Sequence, residues 1–348
     1  MWIPFCSTTT MKQPLILFLL IVVCTIDALA SESTMATKVI LVCGATGNTG
    51  EGVVAALLTS DEFVQQKLQI RALIRDINSQ KAQLLKKRSG VELIEGNFDD
   101  KDSIKAALEG VHACYLACSN QLDQVALETN VIDAADASSS CTYLIKLSTC
   151  GAKSEAAGSY IGHDSVIEYG RFHAAIEEHL AKSDLLYTIL RPNCFMQNHA
   201  GDIFATLPQK SIVYPHETAK ASLIDTRDIG AIASKLLLLP KIEIHSGKTY
   251  NVCGPKAWSA TELAKLYSKC LNDAPIHAIK CDADSYQHGL EGAGFPEWLA
   301  LAVTANHAMF WREGHLEYES SPEIKSLLPT FRTMEEWAKE MTPLVEFS

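Results

Sequence analysis

Strand-length apolar runs alternate with helical stretches along residues 38–192, and a glycine-rich turn directly follows the first run. Together these predict an α/β protein built on a doubly wound parallel sheet covered on both faces. Past residue 192 the alternation becomes irregular, which predicts a smaller C-terminal lobe capping the sheet. The first strand is the run 39–43, of strand length and rich in β-branched residues, and it stops at Gly44. Residues 53–58 read as the first helix. Strands follow at 68–74, 91–94, 113–117 and 143–147, separated by helices at 80–87, 103–108 and 124–135. A long helix, about 169–182, leads into a sixth strand at 187–190. The lobe offers strand-like pieces at 222–224 and 249–252, and helices at 228–239, 259–271, 296–308 and 334–341. No internal repeat or low-complexity linker interrupts the chain. The expected organisation is one unit over residues 36–345, with a core at 36–192 and a cap lobe mainly at 193–345. The two share a cleft of the kind in which open α/β sheets bind ligands.

The 348 residues include 30 Lys and Arg against 41 Asp and Glu, a formal net charge of -11. That balance argues against a nucleic-acid partner. Hydrophobic residues at 47% and charged residues at 20% exclude disordered, collagen-like and multi-span membrane chains. Of the 11 cysteines, Cys43, Cys114, Cys118 and Cys141 lie in or beside apolar runs, and none forms a C-x-x-C pair. They read as reduced and structural. No metal site is expected, because no H-x-x-x-H or H-E-x-x-H spacing occurs. A G-x-S-x-G hydrolase elbow is absent too.

Residues 1–30 have the parts of a secretory leader: Lys12, the apolar run 15–24, and the small-x-small end Ala28-Leu29-Ala30. The run is short for a stable membrane span, so cleavage would leave a chain without one. Against export, the sequence holds no Asn-x-Ser/Thr site, and a cut after Ala30 leaves nine thiols, an odd number. A start at Met35 would make a cytoplasmic protein instead, and both localisations stand as expectations.

Gly44-Ala45-Thr46-Gly47-Asn48-Thr49-Gly50 joins the first strand to the first helix. Glycines at such a point permit a tight turn, close approach of backbone N–H groups to a pyrophosphate, and packing of helix on strand, while the helix N-terminus favours the phosphate charge. In this context the motif predicts dinucleotide binding on a fold of the Rossmann type. Arg75, at the tip of the second strand, suits the 2′-phosphate of NADP(H), and the neighbouring Asp76 leaves NAD(H) open.

The Gly-x-x-Gly-x-x-Gly spacing resembles the short-chain dehydrogenase superfamily. That resemblance implies that Asn97 and Phe98 border the adenine, and that Ala117, Cys118 and Ser119 pass under the cofactor near the nicotinamide ribose. Members of the superfamily use a Ser with a Tyr-x-x-x-Lys pair. Here Ser148 ends the fifth strand, while Tyr169 is followed four residues on by His173 in place of lysine. Imidazole binds ribose or shuttles a proton near neutral pH but carries no permanent charge. On a helix Tyr169, His173 and Glu177 share one face.

The chain is closely similar to the NmrA-like group of atypical short-chain dehydrogenases. The matching residues are Lys146-Leu147-Ser148-Thr149-Cys150-Gly151-Ala152, His173-x-x-x-Glu177, the stretch 187–198, Asp225-Thr226-Arg227-Asp228-Ile229, the stretch 250–255 and the stretch 332–337. The resemblance spans residues 38 to about 340. It implies Ser148, Tyr169 and His173 as catalytic residues, with Pro192, Asn193 and Phe195 near the nicotinamide. Arg191 is either an ion-pair partner of Glu177 or one of Asp228. Trp298, Phe310 and Trp311 either line an aromatic-substrate pocket or pack a core.

Two functions are compatible with these residues. One is an NAD(P)H-dependent oxidoreductase passing hydride to a small electrophile such as a quinone, azo compound, enone or imine, for which geometry and cofactor supply most of the chemistry. The other is a non-catalytic NADP(H) redox sensor that binds a regulatory protein partner. A homodimer suits either.

Overall fold

The central strands of the main sheet bury both of their faces, and the residues that do so alternate along the chain. In the computed structural model, which describes residues 37–345 apart from 66, 151, 153–166, 312, 313 and 315, β1 (Lys38–Cys43) sends Ile40 and Val42 into one apolar layer and Leu41 and Cys43 into another. The leader-like segment lies outside the described residues.

The elements follow in order as α1 (Asn48–Leu58), α2 (Asp61–Val64), β2 (Leu68–Ile74), α3 (Gln80–Lys86), β3 (Val91–Glu95), α4 (Lys101–Leu108), β4 (Ala113–Leu116), α5 (Gln124–Asp136), β5 (Tyr143–Leu147), α6 (Glu168–Leu180) and β6 (Leu186–Pro192). The cap then contributes β7 (Ser211–Tyr214) and β8 (Lys220–Ser222) before α7 (Thr226–Leu238) and β9 (Lys248–Val252). Last come β10 (Ala257–Ser259), α8 (Ala260–Cys270), β11 (His277–Lys280), α9 (Ala283–Gly292), α10 (Glu297–Ala305), α11 (Pro322–Leu327) and α12 (Met334–Met341).

Seven parallel strands form the main sheet in the order β3-β2-β1-β4-β5-β6-β9. Ile40 of β1 stands between Ile70 of β2 and Ala113 of β4, so the strand order reverses at β1. Ligands of open α/β sheets bind in the crevice that such a reversal opens at the carboxyl ends of the strands. One face carries α1, α3, α7 and α11 through Val53, Leu57, Leu85, Ile232, Leu236 and Ile324. The other carries α4, α5 and α6 through Ile104, Leu108, Val131, Ile132, Ile176 and Leu180. Side chains of this size gain roughly 1.5–3 kcal/mol each on full burial.

The division at residue 192 needs correcting. Residues 248–252, read as part of the cap, are the seventh strand of the main sheet, with Thr188 opposite Lys248 and Pro192 opposite Val252. Helix α7 likewise packs on α1 beneath that sheet. Pro192 marks where the chain leaves the sheet for an excursion before returning through α7 and β9, so the irregular pattern reflects an insertion within a strand-helix-strand unit. The cap has its own core, built on Ile203, Leu207, Ile212, Leu263, Tyr267, Trp311 and Trp337. Two small strand pairs brace it, β8 with β10 and β7 with β11.

Candidate active site

The turn after β1 is built from atoms too close to admit side chains. Gly44 has φ +74°, and a Cβ there would lie 2.6 Å from the Ala117 carbonyl oxygen. A Cβ on Gly50 would fall 2.2 Å from the Gly44 oxygen, which itself accepts the Gly47 N–H at 2.9 Å. Helix α1 starts at Asn48, and no side chain caps it at Gly47. Its first N–H groups therefore face the crevice beside the exposed Gly47 and Asn48, while Thr49 is buried. Two cations flank the turn. Arg75 is exposed past the end of β2, and Lys81 Nζ donates to the Thr46 carbonyl at 3.3 Å. Lys81 carries no sequence signal beyond its charge.

Asn97 and Phe98 lie at the tip of β3, toward the edge of the crevice and outside the cavity lining. Asn97 is exposed and donates its backbone N–H to Ser103 Oγ at 3.1 Å; Phe98 is half-buried, and its carbonyl accepts from Asn130 Nδ2 at 3.0 Å.

From the crevice a cavity of about 490 Å³ runs beneath the cap. Cys118 and Ser119 after β4, Ser148 after β5, Pro192, Asn193 and Phe195 at the end of β6, and Tyr169 and His173 on α6 all line it. Ala117 stands behind them against Gly44. Burial pushes the Cys118 thiol up to about 11, with the Glu128 charge adding to it and the Lys146 and Arg75 charges opposing it.

Ser148 Oγ donates to Glu177 Oε1 at 2.5 Å. Glu177 is in turn gripped by Arg191, whose Nε donates to the same oxygen at 3.0 Å and whose Nη2 donates to Oε2. Of the two partners expected for Arg191, the structure therefore shows Glu177. Asp228 pairs with Arg332 instead. Asn193 is also committed, since Nδ2 donates to the Leu316 carbonyl at 2.9 Å and Oδ1 accepts the Cys194 N–H at 2.7 Å.

His173 belongs to a buried polar network that the sequence reading did not assemble. Lys146 Nζ stands 3.1 Å from its Nδ1 and 2.8 Å from Glu128 Oε2, and donates to the Leu147 carbonyl as well. Gln124 Nε2 lies 2.9 Å from Glu128 Oε1 and 3.3 Å from His173 Nε2. Burial and then the Lys146 charge hold the His173 pKa well below the usual histidine range, so the ring is neutral. The cation that histidine cannot supply thus sits directly behind it, on β5. Burial pushes the Tyr169 phenol well above its ordinary pKa, with the nearby Cys194 and Cys150 acting the same way. That hydroxyl keeps its proton across the physiological range.

Toward the cap, Tyr214, Tyr286, His307 and Trp311 close the cavity. The indole of Trp311 lies 4.5 Å from the His307 ring at 16°, a stacked arrangement. Trp298 is absent from the cavity lining and tilts against Phe172 at 5.9 Å. The Phe310 side chain lies outside the described residues.

The model of the NmrA-like family matches residues 36–338. The chain belongs to the NmrA-like family. An NAD(P)H azoreductase from Xenophilus azovorans is 30% identical over 272 residues, covering 78% of this NmrA-like chain and 86% of the relative. A crystal structure of an NADPH-dependent quinone oxidoreductase from Escherichia coli, complexed with NADPH, superposes with a TM-score of 0.72 at 24% identity, over 86% of this chain and 99% of that one. NmrA itself, a negative transcriptional regulator solved with NADP, gives a TM-score of 0.69 at 17% identity, over 88% and 96%. At such identities the two structural likenesses establish the fold. Among the described residues no helix is long and apolar enough to cross a membrane, and no cluster of His, Cys, Asp or Glu suits a metal ion.

Proposed function

We propose that this protein is an NAD(P)H-dependent oxidoreductase that delivers hydride to a small, flat electrophile, a quinone or azo compound foremost. The observation that carries this reading is one continuous cavity bounded at one end by the tips of β4, β5 and β6, beside the glycine turn, and at the other by an aromatic cap wall. The 30% identity to a relative named for azo reduction with NAD(P)H supports the same class.

A dinucleotide suits the residues present. The space that side chains on Gly44 and Gly50 would fill leaves room for a pyrophosphate, and the uncapped start of α1 offers the N–H groups of Asn48 and Thr49. Arg75 and Lys81 provide the positive charge that a 2′-phosphate requires, so NADP(H) is preferred and NAD(H) remains usable. When bound, the reduced nicotinamide supplies the hydride. The protein's part is to orient, exclude water and manage one proton. Tyr169 holds a proton at its hydroxyl on the cavity wall. Neutral His173, whose Nδ1 faces Lys146 Nζ at 3.1 Å, holds the Lys146 charge near the reacting region.

That engagement of His173 also favours a second reading, a cofactor-state sensor in the manner of the regulator NmrA, whose fold this chain shares. One titration separates the two. The full-length chain is titrated with NADPH and NADH by nicotinamide fluorescence, then given menadione and an azo dye, alongside His173→Ala. Acceptor-dependent oxidation of bound NADPH supports the reductase. Tight binding with no oxidation by any acceptor replaces it with the sensor.

A further inference from the structure

At the cap end of the cavity two histidines make a bridge to the outside of the lobe. His307 lines the cavity, whereas His216 borders a separate surface hollow of about 410 Å³, together with Glu217, Lys280 and Glu317. A 3.0 Å hydrogen bond joins His216 Nε2 to His307 Nδ1. On the cavity side, His307 Nε2 lies 3.4 Å from the Tyr286 hydroxyl. The rings are stacked at 5.3 Å and 16°, with Trp311 beside both, and its indole N–H is anchored on the Ala219 carbonyl at 3.0 Å. His216 Nδ1 is buried and has no hydrogen-bond partner among the described residues. A buried orphan nitrogen costs on the order of 1–3 kcal/mol, which two stacked phenylalanines would avoid. The nearby Asp202 gives the pair no counter-charge. It is held by His199 at 2.9 Å, by the Tyr214 hydroxyl at 3.0 Å and by the Tyr267 hydroxyl at 3.4 Å.

We propose that His307 is the proton donor to the acceptor bound in this cavity and that His216 resupplies it from water in the outer hollow. The proposal rests on the reductase reading. The acceptor is a quinone, reduced by one hydride from the dihydronicotinamide cofactor and one proton. As hydride adds to the quinone, an acceptor oxygen takes the proton from His307 Nε2, giving the hydroquinone. His307 Nδ1 recovers a proton from His216 Nε2, and His216 Nδ1, shielded in the resting protein, takes one from a water that enters from the adjoining hollow and returns hydroxide to solvent, so one hydride and one solvent proton are consumed. Both rings end in the opposite tautomer, and their reset precedes the next cycle. A neutral imidazole donates only as its other nitrogen gains a proton, which the 3.0 Å contact with His216 Nε2 allows in the same step. Burial, with the other imidazoles nearby, keeps both rings neutral, His216 at about 4 and His307 well below the usual range.

The test uses the full-length chain with ¹⁵N-labelled histidine, NADPH and menadione, and the variants His216→Phe, His216→Ala and His307→Gln. In the cofactor-free protein the expected ¹⁵N spectrum shows His216 with an unprotonated Nδ1 and a protonated Nε2, and the His307 Nδ1 resonance shifts in His216→Phe. Single-turnover formation of hydroquinone falls by about tenfold or more in His216→Phe, while quenching of tryptophan fluorescence by menadione is unchanged. Added imidazole restores turnover in His216→Ala and fails to do so in His307→Gln. Wild-type rates in His216→Phe overturn the relay alone, as does a resting His216 protonated at Nδ1, or a loss of menadione binding that matches the loss of turnover. Absence of quinone reduction by the wild-type protein overturns the reductase reading itself.

Discussion

Lys146 and Glu128 face each other across β5 and α5 at 2.8 Å, and neither side chain has any exposure to solvent. A lysine in the middle of a central parallel strand is tolerated only because its charge is answered on the spot. Removing one partner of a buried pair leaves the other charged and unsolvated, which costs about 3–5 kcal/mol. Lys146→Met is expected to lose stability of that order in urea unfolding, and Lys146→Met with Glu128→Leu to recover most of it. A single variant as stable as the parent would show that the pair contributes nothing to the stability of the fold.

The glycine cradle makes a sharper test of cofactor binding than any charged residue. A methyl group on Gly50 would overlap the Gly44 oxygen at 2.2 Å, so Gly50→Ala forces the turn open where the phosphates belong. The strain is expected to cost about 1–3 kcal/mol. The folded variant should then show no rise in Tm on addition of NADPH, whereas saturating NADPH stabilises the parent by mass action.

Arg75 and Lys81 flank the same turn from β2 and α3. If they hold a 2′-phosphate, Arg75→Ala should weaken NADPH binding by about tenfold or more, the worth of one charge-assisted contact, and leave NADH nearly unchanged. Lys81→Ala should act in the same direction but less, because its ammonium is already engaged by the Thr46 carbonyl. Equal losses for both nucleotides, measured by fluorescence titration, would move Arg75 away from the phosphate.

The parallel core was legible because burial on both faces writes each strand as an unbroken apolar run, as in residues 39–43. Lys146 was legible in the same way, as a lone charge inside the apolar strand Tyr143–Leu147. Its partners were not. Gln124 and Glu128 lie four apart on α5, and on sequence grounds such a polar pair reads as a solvated helix face, although both are wholly buried. The spacing of Tyr169 and His173 puts both on the helix face that lines the cavity, but it gives no hint that Lys146 approaches the imidazole from another element. In the cap, β11 escaped because most of its residues are exposed and leave no alternation. His216 and His307 are separated by 91 positions, so only the fold brings them together. Trp311, named from sequence as either pocket wall or core, turns out to serve as both.

Three buried imidazoles give acid sensitivity of predictable sign. Burial lowers the folded-state pKa of His173 and His307 well below 6.5, and that of His216 to about 4. Below pH 6.5 the unfolded chain therefore takes up protons that the native state refuses, and stability falls as pH falls. Each ring contributes to this loss between its unfolded and its folded pKa, and the share of His216 is complete as pH falls through about 4. Urea unfolding at pH 7.5, 6 and 5 is expected to show a plateau above pH 7 and a steep decline below. His216→Phe should be shallower by one proton's share. A stability profile flat from pH 7.5 to 5 would mean that the rings take up protons in the folded protein as readily as in the unfolded chain.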